Sequence, residues 1–432
     1  MARPGRLLAG PYLAARTRFG IKFGLDTIRA LVAEMGHPER ACPSLLVAGT
    51  NGKGSVVAYV DAALRASGLR TGRYTSPHLV RVHERIVVDG REIAPRALEA
   101  AVSRVREAAR RLVRARLIRQ EPTYFEALTA AAFEHFRRAR VDVAVLEVGM
   151  GGRLDATNVA EPIASAIVTV DLDHQAYLGA TIPAIAREKA GVLRPGRTAV
   201  LGPLPRAARR AVARRAGALG ARLVDARRGV TLRAVPNGYD VRTPRGRYPG
   251  LKPLAGAHQI ENLLVALRLV EEAQAAGLPV DLRRAGRGLS QTRWPGRLQW
   301  VRGDPPLLLD GAHNPAGARA LAEYLRGLPP FVLLFGVMGD KDVPDLARRL
   351  FPLAAEVVLT RPRVSRAASA ATIARRAGAL ARGAWRCRDT RTALARARKE
   401  ARALGPGSPV VVAGSLYLVG EVLALRRGRW RT

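Results

Sequence analysis

Short apolar runs alternate with longer amphipathic stretches along most of the chain. The runs at 45–48, 141–148, 164–170, 306–309, 331–335 and 409–412 are nearly unbroken in apolar character. A strand covered on both faces has no polar face to present, so such runs predict strands of parallel sheets flanked by helices. The stretch 223–248 breaks this pattern. Its short segments flank Asn237-Gly238, a pair suited to a tight hairpin turn, and predict a small antiparallel addition. A helical period returns over 259–276. After Ser290 comes a non-periodic stretch, Gln291-Thr292-Arg293-Trp294-Pro295-Gly296-Arg297, followed by a fresh series of strands and helices. The expected fold is α/β, with a larger N-terminal domain over 1–290, a linker over 291–303 and a smaller C-terminal domain over 304–432. Ligands are expected at the carboxyl ends of the strands and in the cleft separating the domains.

Composition narrows the class. A length of 432 residues leaves room for two or three domains at about 150 residues each. Cys42 and Cys387 make no C-x-x-C or His-rich pattern and no disulfide framework, which predicts two free thiols and a reducing, cytoplasmic setting. Pro4, Gly5, Gly10 and Pro11 break the apolar stretch that a signal peptide would need. The apolar segment 410–425 is interrupted by Gly414, Ser415, Gly420 and Glu421, and it falls short of the roughly 20 apolar residues of a membrane helix. A soluble protein without membrane association is expected. The formal charge of +37 suggests polyanion binding on its face. Yet nearly all of the 72 basic residues are arginine, spread widely and not interleaved with aromatics. That pattern predicts a solvated basic surface and no specific nucleic-acid partner.

Residues 49–55 read Gly-Thr-Asn-Gly-Lys-Gly-Ser, after an apolar strand and before an amphipathic helix that stops at Gly68. Glycines let backbone N–H groups converge on an anion, and a helix N-terminus adds partial positive charge. Asn51, Gly52, Lys53, Gly54 and Ser55 are therefore candidates for holding phosphates, with Lys53 reaching the terminal ones. The usual spacing is varied, because Gly54 separates Lys53 from Ser55.

Two apolar runs end in ligand-type residues. The run 141–148 carries Glu147 at its tip, and the run 164–170 is followed by Asp171, Asp173 and His174. Glu147 and His174 are candidate Mg²⁺ ligands. A helix opening at Thr181-Ile182-Pro183 carries Glu188-Lys189-Ala190-Gly191 near its end. The chain has only six lysines, so a retained amine at Lys189 has a chemical reason: unlike arginine it can react with CO₂ to give a carbamate, a further anionic metal ligand.

These segments together resemble the folylpolyglutamate synthase and dihydrofolate synthase family, a branch of the Mur ligases. The resemblance also runs through Phe23-Gly24-Leu25, Thr75-Ser76-Pro77-His78-Leu79, Thr123-Tyr124-Phe125-Glu126 and Glu147 to Asn158. It continues through Gly256-Ala257-His258-Gln259 with Asn262, Trp294-Pro295-Gly296-Arg297, Asp310 to Pro315, Lys341-Asp342 and Gly414-Ser415-Leu416-Tyr417. The fold it implies is an N-terminal P-loop ATPase domain of the Mur-ligase type with a parallel central sheet, and a Rossmann-like C-terminal lobe that closes over ATP. The chemistry it implies is ATP-dependent ligation of L-glutamate to a folate or to dihydropteroate through an acyl-phosphate. Ser76 and Glu147 would hold one Mg²⁺, with His174 and carbamylated Lys189 at a second. Asn262, Arg297 and Asp310 would meet the nucleotide, and His313 and Ser415 would seat the incoming glutamate, His313 also being a candidate for the chemistry. Phe23, Gly24, Leu25, Thr123, Phe125, Glu126, Leu154, Asp155 and Ala156 would line the pterin side. A monomer is expected. Ligases acting on nucleotide-linked cell-wall precursors need a further N-terminal domain, and only 48 residues precede Gly49; that argues against another Mur-type amide ligase. A nucleic-acid-binding ATPase is the remaining alternative, supported by charge alone.

Overall fold

The computed structural model describes residues 9–16, 20 and 24–426. Its backbone divides into two compact units, the first made of Met1–Ser76, Val82–Pro253 and Glu261–Thr292, the second of Pro77–Arg81, Leu254–Ile260 and Arg293–Thr432.

The first unit is built on eight strands: β1 (Ser44–Ala48), β2 (Thr71–Tyr74), β3 (Ile86–Val88), β4 (Arg91–Glu92), β5 (Val143–Glu147), β6 (Pro162–Ile167), β7 (Thr198–Leu201) and β8 (Arg222–Asp225). Their order in the sheet is β4-β3-β2-β5-β1-β6-β7-β8. All neighbours from β2 to β8 are parallel, and β3 and β4 form an antiparallel edge. Every residue of β1 and β5 is buried, as expected of apolar strands with helices on both faces. The chain leaves β1, passes over β5 to make β2, and later leaves β5, passes over β1 to make β6. That reversal of direction opens a crevice beside the carboxyl end of β1. Segments leaving β1, β2, β5 and β6 all emerge on this one edge.

A separate antiparallel sheet follows, made of β9 (Thr231–Val235), β10 (Gly238–Arg242) and β11 (Arg247–Leu251); Gly238 pairs with Val235, so the two-residue turn is Pro236-Asn237 and not the expected Asn237-Gly238. Tyr248 Oη donates to Glu271 on the helix His258–Ala275 at 2.8 Å, which ties the sheet to that helix. Burial of a carboxylate is tolerable here because Thr243 and Arg268 also donate to Glu271.

In the second unit, β12 (Gln299–Val301), β13 (Leu307–Leu309), β14 (Val332–Phe335), β15 (Glu356–Leu359), β16 (Trp385–Arg386) and β17 (Val410–Ala413) make one sheet. Its order is β12-β13-β17-β14-β15-β16, parallel except at β12. Leu333, Phe335, Val411 and Ala413 face one apolar layer and Leu334, Val410 and Val412 the other, so both faces are covered.

Four other expectations need adjustment. The run 164–170 ends as a strand at Ile167, because the polar groups of Thr169 and Asp171 are spent on the turn after β1. Residues 222–225 join the parallel sheet as β8 and are not part of the antiparallel addition. The stretch 291–303 contains β12, and the change of unit falls after Thr292. The second unit also takes in 77–81 and 254–260, short segments with no compositional mark. Among the described residues no helix is long and apolar enough to cross a membrane, and both cysteines are unpaired.

Candidate active site

The turn after β1 is fixed from one side by the segment leaving β6. Thr50 N donates to Thr169 O at 2.9 Å, and Asn51 N donates to Thr169 Oγ1 at 2.9 Å. Thr169 Oγ1 in turn donates to Asn51 O at 2.9 Å, and Asp171 N donates to Thr50 Oγ1 at 3.0 Å. The backbone N–H of Asn51 is thus committed to Thr169, so backbone donors to an anion come from the residues after it, and Asn51 could serve only through its side chain.

Gly52 caps the helix Lys53–Ala66 with φ at 82°, in the left-handed region where a side chain is strained. A Cβ there would lie 2.4 Å from Asn262 Oδ1. Only glycine lets Asn262, itself buried, come against the turn. Lys53 Nζ donates to Gly49 O at 3.0 Å and to Thr50 O at 3.2 Å, folding its charge over the loop it would serve. Gly54 and buried Ser55 open the helix, whose N-terminus adds its partial positive charge.

Glu147, the last residue of β5, is buried and accepts a hydrogen bond from Ser76 N at 2.9 Å. That contact brings two of the four ligand candidates together. A hydroxyl and a carboxylate are the oxygen donors that Mg²⁺ favours, so these residues fit the ion. His174 follows β6 in a left-handed conformation, φ 52°, at the start of the short helix Gln175–Leu178, with Nε2 3.9 Å from Asp173 Oδ1. Lys189 closes the helix Ile182–Lys189 and is 3% exposed. Burial, with the charge of Lys53 second, lowers its pKa to about 7, while Asp173 and Asp155 oppose the shift. Lys189 therefore lies within electrostatic reach of both the glycine turn and the segment after β6. Among the described residues no group of three or more His, Cys, Asp or Glu could hold a metal ion; only Glu147 and His174 in the expected set are of those types.

On the expected pterin side, local structure explains much of the sequence signal. Thr123 and Glu126 form a capping box on the helix Tyr124–Ala139: Thr123 Oγ1 accepts from Glu126 N at 3.2 Å, and Glu126 Oε2 accepts from Thr123 N at 2.8 Å. Glu126 Oε1 is buried without a partner. The Phe125 ring lies over Gly149, where an added Cβ would meet it at 2.7 Å. Asp155 holds the loop that follows β5. Its carboxylate accepts from Met150 N at 2.9 Å and from Thr157 N at 3.0 Å, while burial raises its pKa. Leu154 is half-buried; Ala156 and Leu25 are buried, and Gly24 is half-buried with φ at 137°. Phe23 lies outside the described residues.

The remaining candidates cluster in the second unit, at the carboxyl ends of β13 and β17. Asp310 accepts from Leu298 N at 2.9 Å and from Ala312 N at 2.8 Å. A Cβ on Gly311 would lie 2.3 Å from Arg297 Nη1, so the guanidinium crosses the backbone beside Asp310. His313 Nδ1 lies 2.7 Å from Gly311 O, and buried Ser415 accepts from Leu418 N at 3.1 Å. Gly414 N donates to Ala312 O at 3.0 Å, joining the two loops. His258 belongs to this cluster: Asp310 and Arg297 act on it electrostatically, and burial lowers its pKa.

Sequence reasoning assigned no role to Thr169, Asp173 or His258. Thr169 had a signal, being a hydroxyl residue near the carboxyl end of an apolar run. Asp173 and His258 stood beside assigned residues and differ from them only in what the fold brings near.

Two family models match the chain: the Mur ligase middle domain over 47–270 and the Mur ligase glutamate ligase domain over 296–416. A probable bifunctional folylpolyglutamate synthase/dihydropteroate synthase of Halobacterium salinarum is 38% identical over 98% of this chain and 51% of that protein. The chain thus spans about half the length of the first curated relatives it matches. The Mycobacterium tuberculosis folylpolyglutamate synthase solved with ADP and AMPPCP superposes with a TM-score of 0.88 at 34% identity, covering 99% of this chain and 98% of that one. A bifunctional folylpolyglutamate synthase/dihydrofolate synthase of Yersinia pestis, solved with AMPPNP and a Mn ion, gives 0.84 at 31% identity, covering 99% and 100%. With a glycine turn at the sheet's switch point and these matches across both units, the chain belongs to the Mur ligase family, in its folylpolyglutamate synthase/dihydrofolate synthase branch.

Proposed function

We propose that this chain is an ATP-dependent ligase that joins the amine of L-glutamate to a carboxylate of dihydropteroate, of a folate, or of both. The observation that supports it best is the convergence, on one edge of the sheet, of the Lys53 turn, the Ser76–Glu147 pair and the segment 169–174. Lys53 leaves its loop carbonyls to contact the terminal phosphates of ATP, and Asn51 to Ser55 with Asn262 orient them. Ser76 and Glu147 would hold one Mg²⁺, and His174 with a carbamate on Lys189 would hold a second. When bound, the ions neutralise charge on the phosphoryl group being transferred. The substrate carboxylate takes the γ-phosphoryl group, releasing ADP; glutamate's nitrogen then attacks the acyl carbon, phosphate leaves and the nitrogen loses a proton. Arg297 and Asp310 bind nucleotide, and His313 and Ser415 position glutamate. Leu25, Phe125 and the loop 154–156 receive the pterin side, with Gly24, Thr123 and Glu126 shaping that wall.

In this reading the domains divide at 291–303, and the enzyme is a cytoplasmic monomer with no specific nucleic-acid partner. The test is an amide-ligation assay with ATP, Mg²⁺ and labelled glutamate, run in parallel on dihydropteroate and tetrahydrofolate. Labelled product with either acceptor, dependent on ATP, is expected. ATP hydrolysis stimulated by RNA or DNA, with no amide formed, would refute the ligase reading.

A further inference from the structure

A groove of about 870 Å³ lies on the first unit, lined in part by Arg187, Glu188 and Gly191 of the segment that carries Lys189. The helices Asp26–Glu34, Ile182–Lys189 and Arg206–Leu219, together with the segments around Arg153 and Arg194, supply its lining. Six of the lining residues are arginines and two are glutamates. Each glutamate is already occupied: Glu188 by Arg153 at 2.8 Å and Glu161 by Arg194 at 3.1 Å. Arg29, Arg187, Arg214 and Arg215 are exposed, and among the described residues none has an ion pair. Four guanidiniums without a carboxylate partner line one concavity, and their summed positive field favours an anion there. The lining includes the aliphatic Leu25, Leu193 and Leu219, and among the described residues no aromatic side chain lines the groove. Bases would find nothing to stack on, which disfavours a nucleic acid. Carboxylates spaced along a methylene backbone match a lining of cations and aliphatic side chains, and arginine pairs carboxylates in forked geometry.

We propose that this groove binds an oligo-γ-glutamyl chain, the tail that successive ligations build. The proposal rests on the reading of the acceptor as a folate. Continuity supports it: Leu25 and the segment 153–158 belong to the groove wall or adjoin it, and the same stretches carry the proposed pterin-side residues. A tail held there keeps long substrates attached while their pterin end shifts.

The experiment titrates the full chain calorimetrically with free tetra-γ-glutamate, and compares it with the variant R187Q/R214Q/R215Q. All three positions are exposed, so the fold should persist, as checked by circular dichroism. The control is R96Q/R110Q/R114Q, of equal charge change on the exposed face of the helix Pro95–Arg114. Losing three charge-assisted contacts should weaken tetraglutamate binding about tenfold. In ligation, the groove variant should raise the KM for a tetraglutamyl folate about tenfold and leave the KM for the monoglutamyl folate unchanged. Equal weakening in the control, or unaltered binding in the groove variant, would overturn the proposal. So would groove-dependent binding of an RNA oligonucleotide without binding of tetraglutamate. Absence of ligation on any folate by the unaltered chain would instead sink the ligase reading, and the calorimetric arm separates the two failures.

Discussion

Replacing Lys189 with methionine removes a buried amine while keeping its volume. The native side chain is 3% exposed, and burial is the main cause of a pKa drawn from 10.5 down to about 7. A lysine shifted in this direction loses its proton more readily in the native state than in the unfolded one. From pH 7 to 10.5 the unfolded chain therefore holds a proton that the native chain lacks, and stability rises with pH by about 1.4 kcal/mol per pH unit. Below pH 7 both states are charged, and the whole burial cost, about 5 kcal/mol, is present. The methionine variant has no such dependence. It should be the more stable form at pH 6.5, and its advantage should fall by about 2 kcal/mol from pH 7 to pH 9. Urea unfolding by circular dichroism, in CO₂-free buffers with chelator, measures this. A constant advantage over that window would mean that Lys189 titrates like an exposed lysine, and the free amine needed for carbamate chemistry would be absent. Adding bicarbonate should stabilise the lysine form alone, because a carbamate at this site ties CO₂ to the native state.

The other expected outcomes follow from the same contacts. Lys53→Ala should abolish ligation, while the loss of its two loop hydrogen bonds costs about 1–2 kcal/mol of stability; retained turnover would contradict the role given to Lys53. Lys189→Arg keeps a cation but cannot form a carbamate, so ligation should collapse at any bicarbonate concentration, and full activity would make the carbamate unnecessary. Thr169→Val removes the hydroxyl that both donates to and accepts from Asn51; the KM for ATP should rise about tenfold from a loss of 1–2 kcal/mol, and an unchanged KM would show that the turn holds itself. Chelation of Mg²⁺ should stop product formation, with recovery on adding Mg²⁺ back; ligation persisting in chelator would exclude the metal.

How far the site could be read from the chain depends on how local its causes are. The strand, glycine turn and helix at 44–66 are dictated by neighbours in sequence: an apolar run, a glycine where φ is 82°, and an amphipathic period. Glu147 was legible for the same reason, since a carboxylate at the tip of an apolar strand has few places to point. The strand β2 was not, because Thr71–Tyr74 is short and carries Gly72 and Arg73. Arg73 reads as polar surface, yet it is held by Asp61, which also accepts from Thr71 Oγ1 at 2.5 Å. Thr123 and Glu126 show the opposite error: a conspicuous motif whose first duty is to cap a helix. Distance from the chemistry in sequence was no obstacle in itself, as Lys189 illustrates, but its meaning was. Scarcity of lysine marked it, whereas the amine's environment comes from helix packing that buries it and from Lys53, Asp173 and Asp155, contributed by three other segments. Those neighbours follow from the crossing of the chain at β1, since a parallel sheet that reverses direction there delivers every following loop to one edge. Shuffling the strand order while keeping each segment intact would preserve every motif named above and disperse the site, so the topology, more than any single residue, makes the phosphate turn, the carboxylate and the amine act on one another.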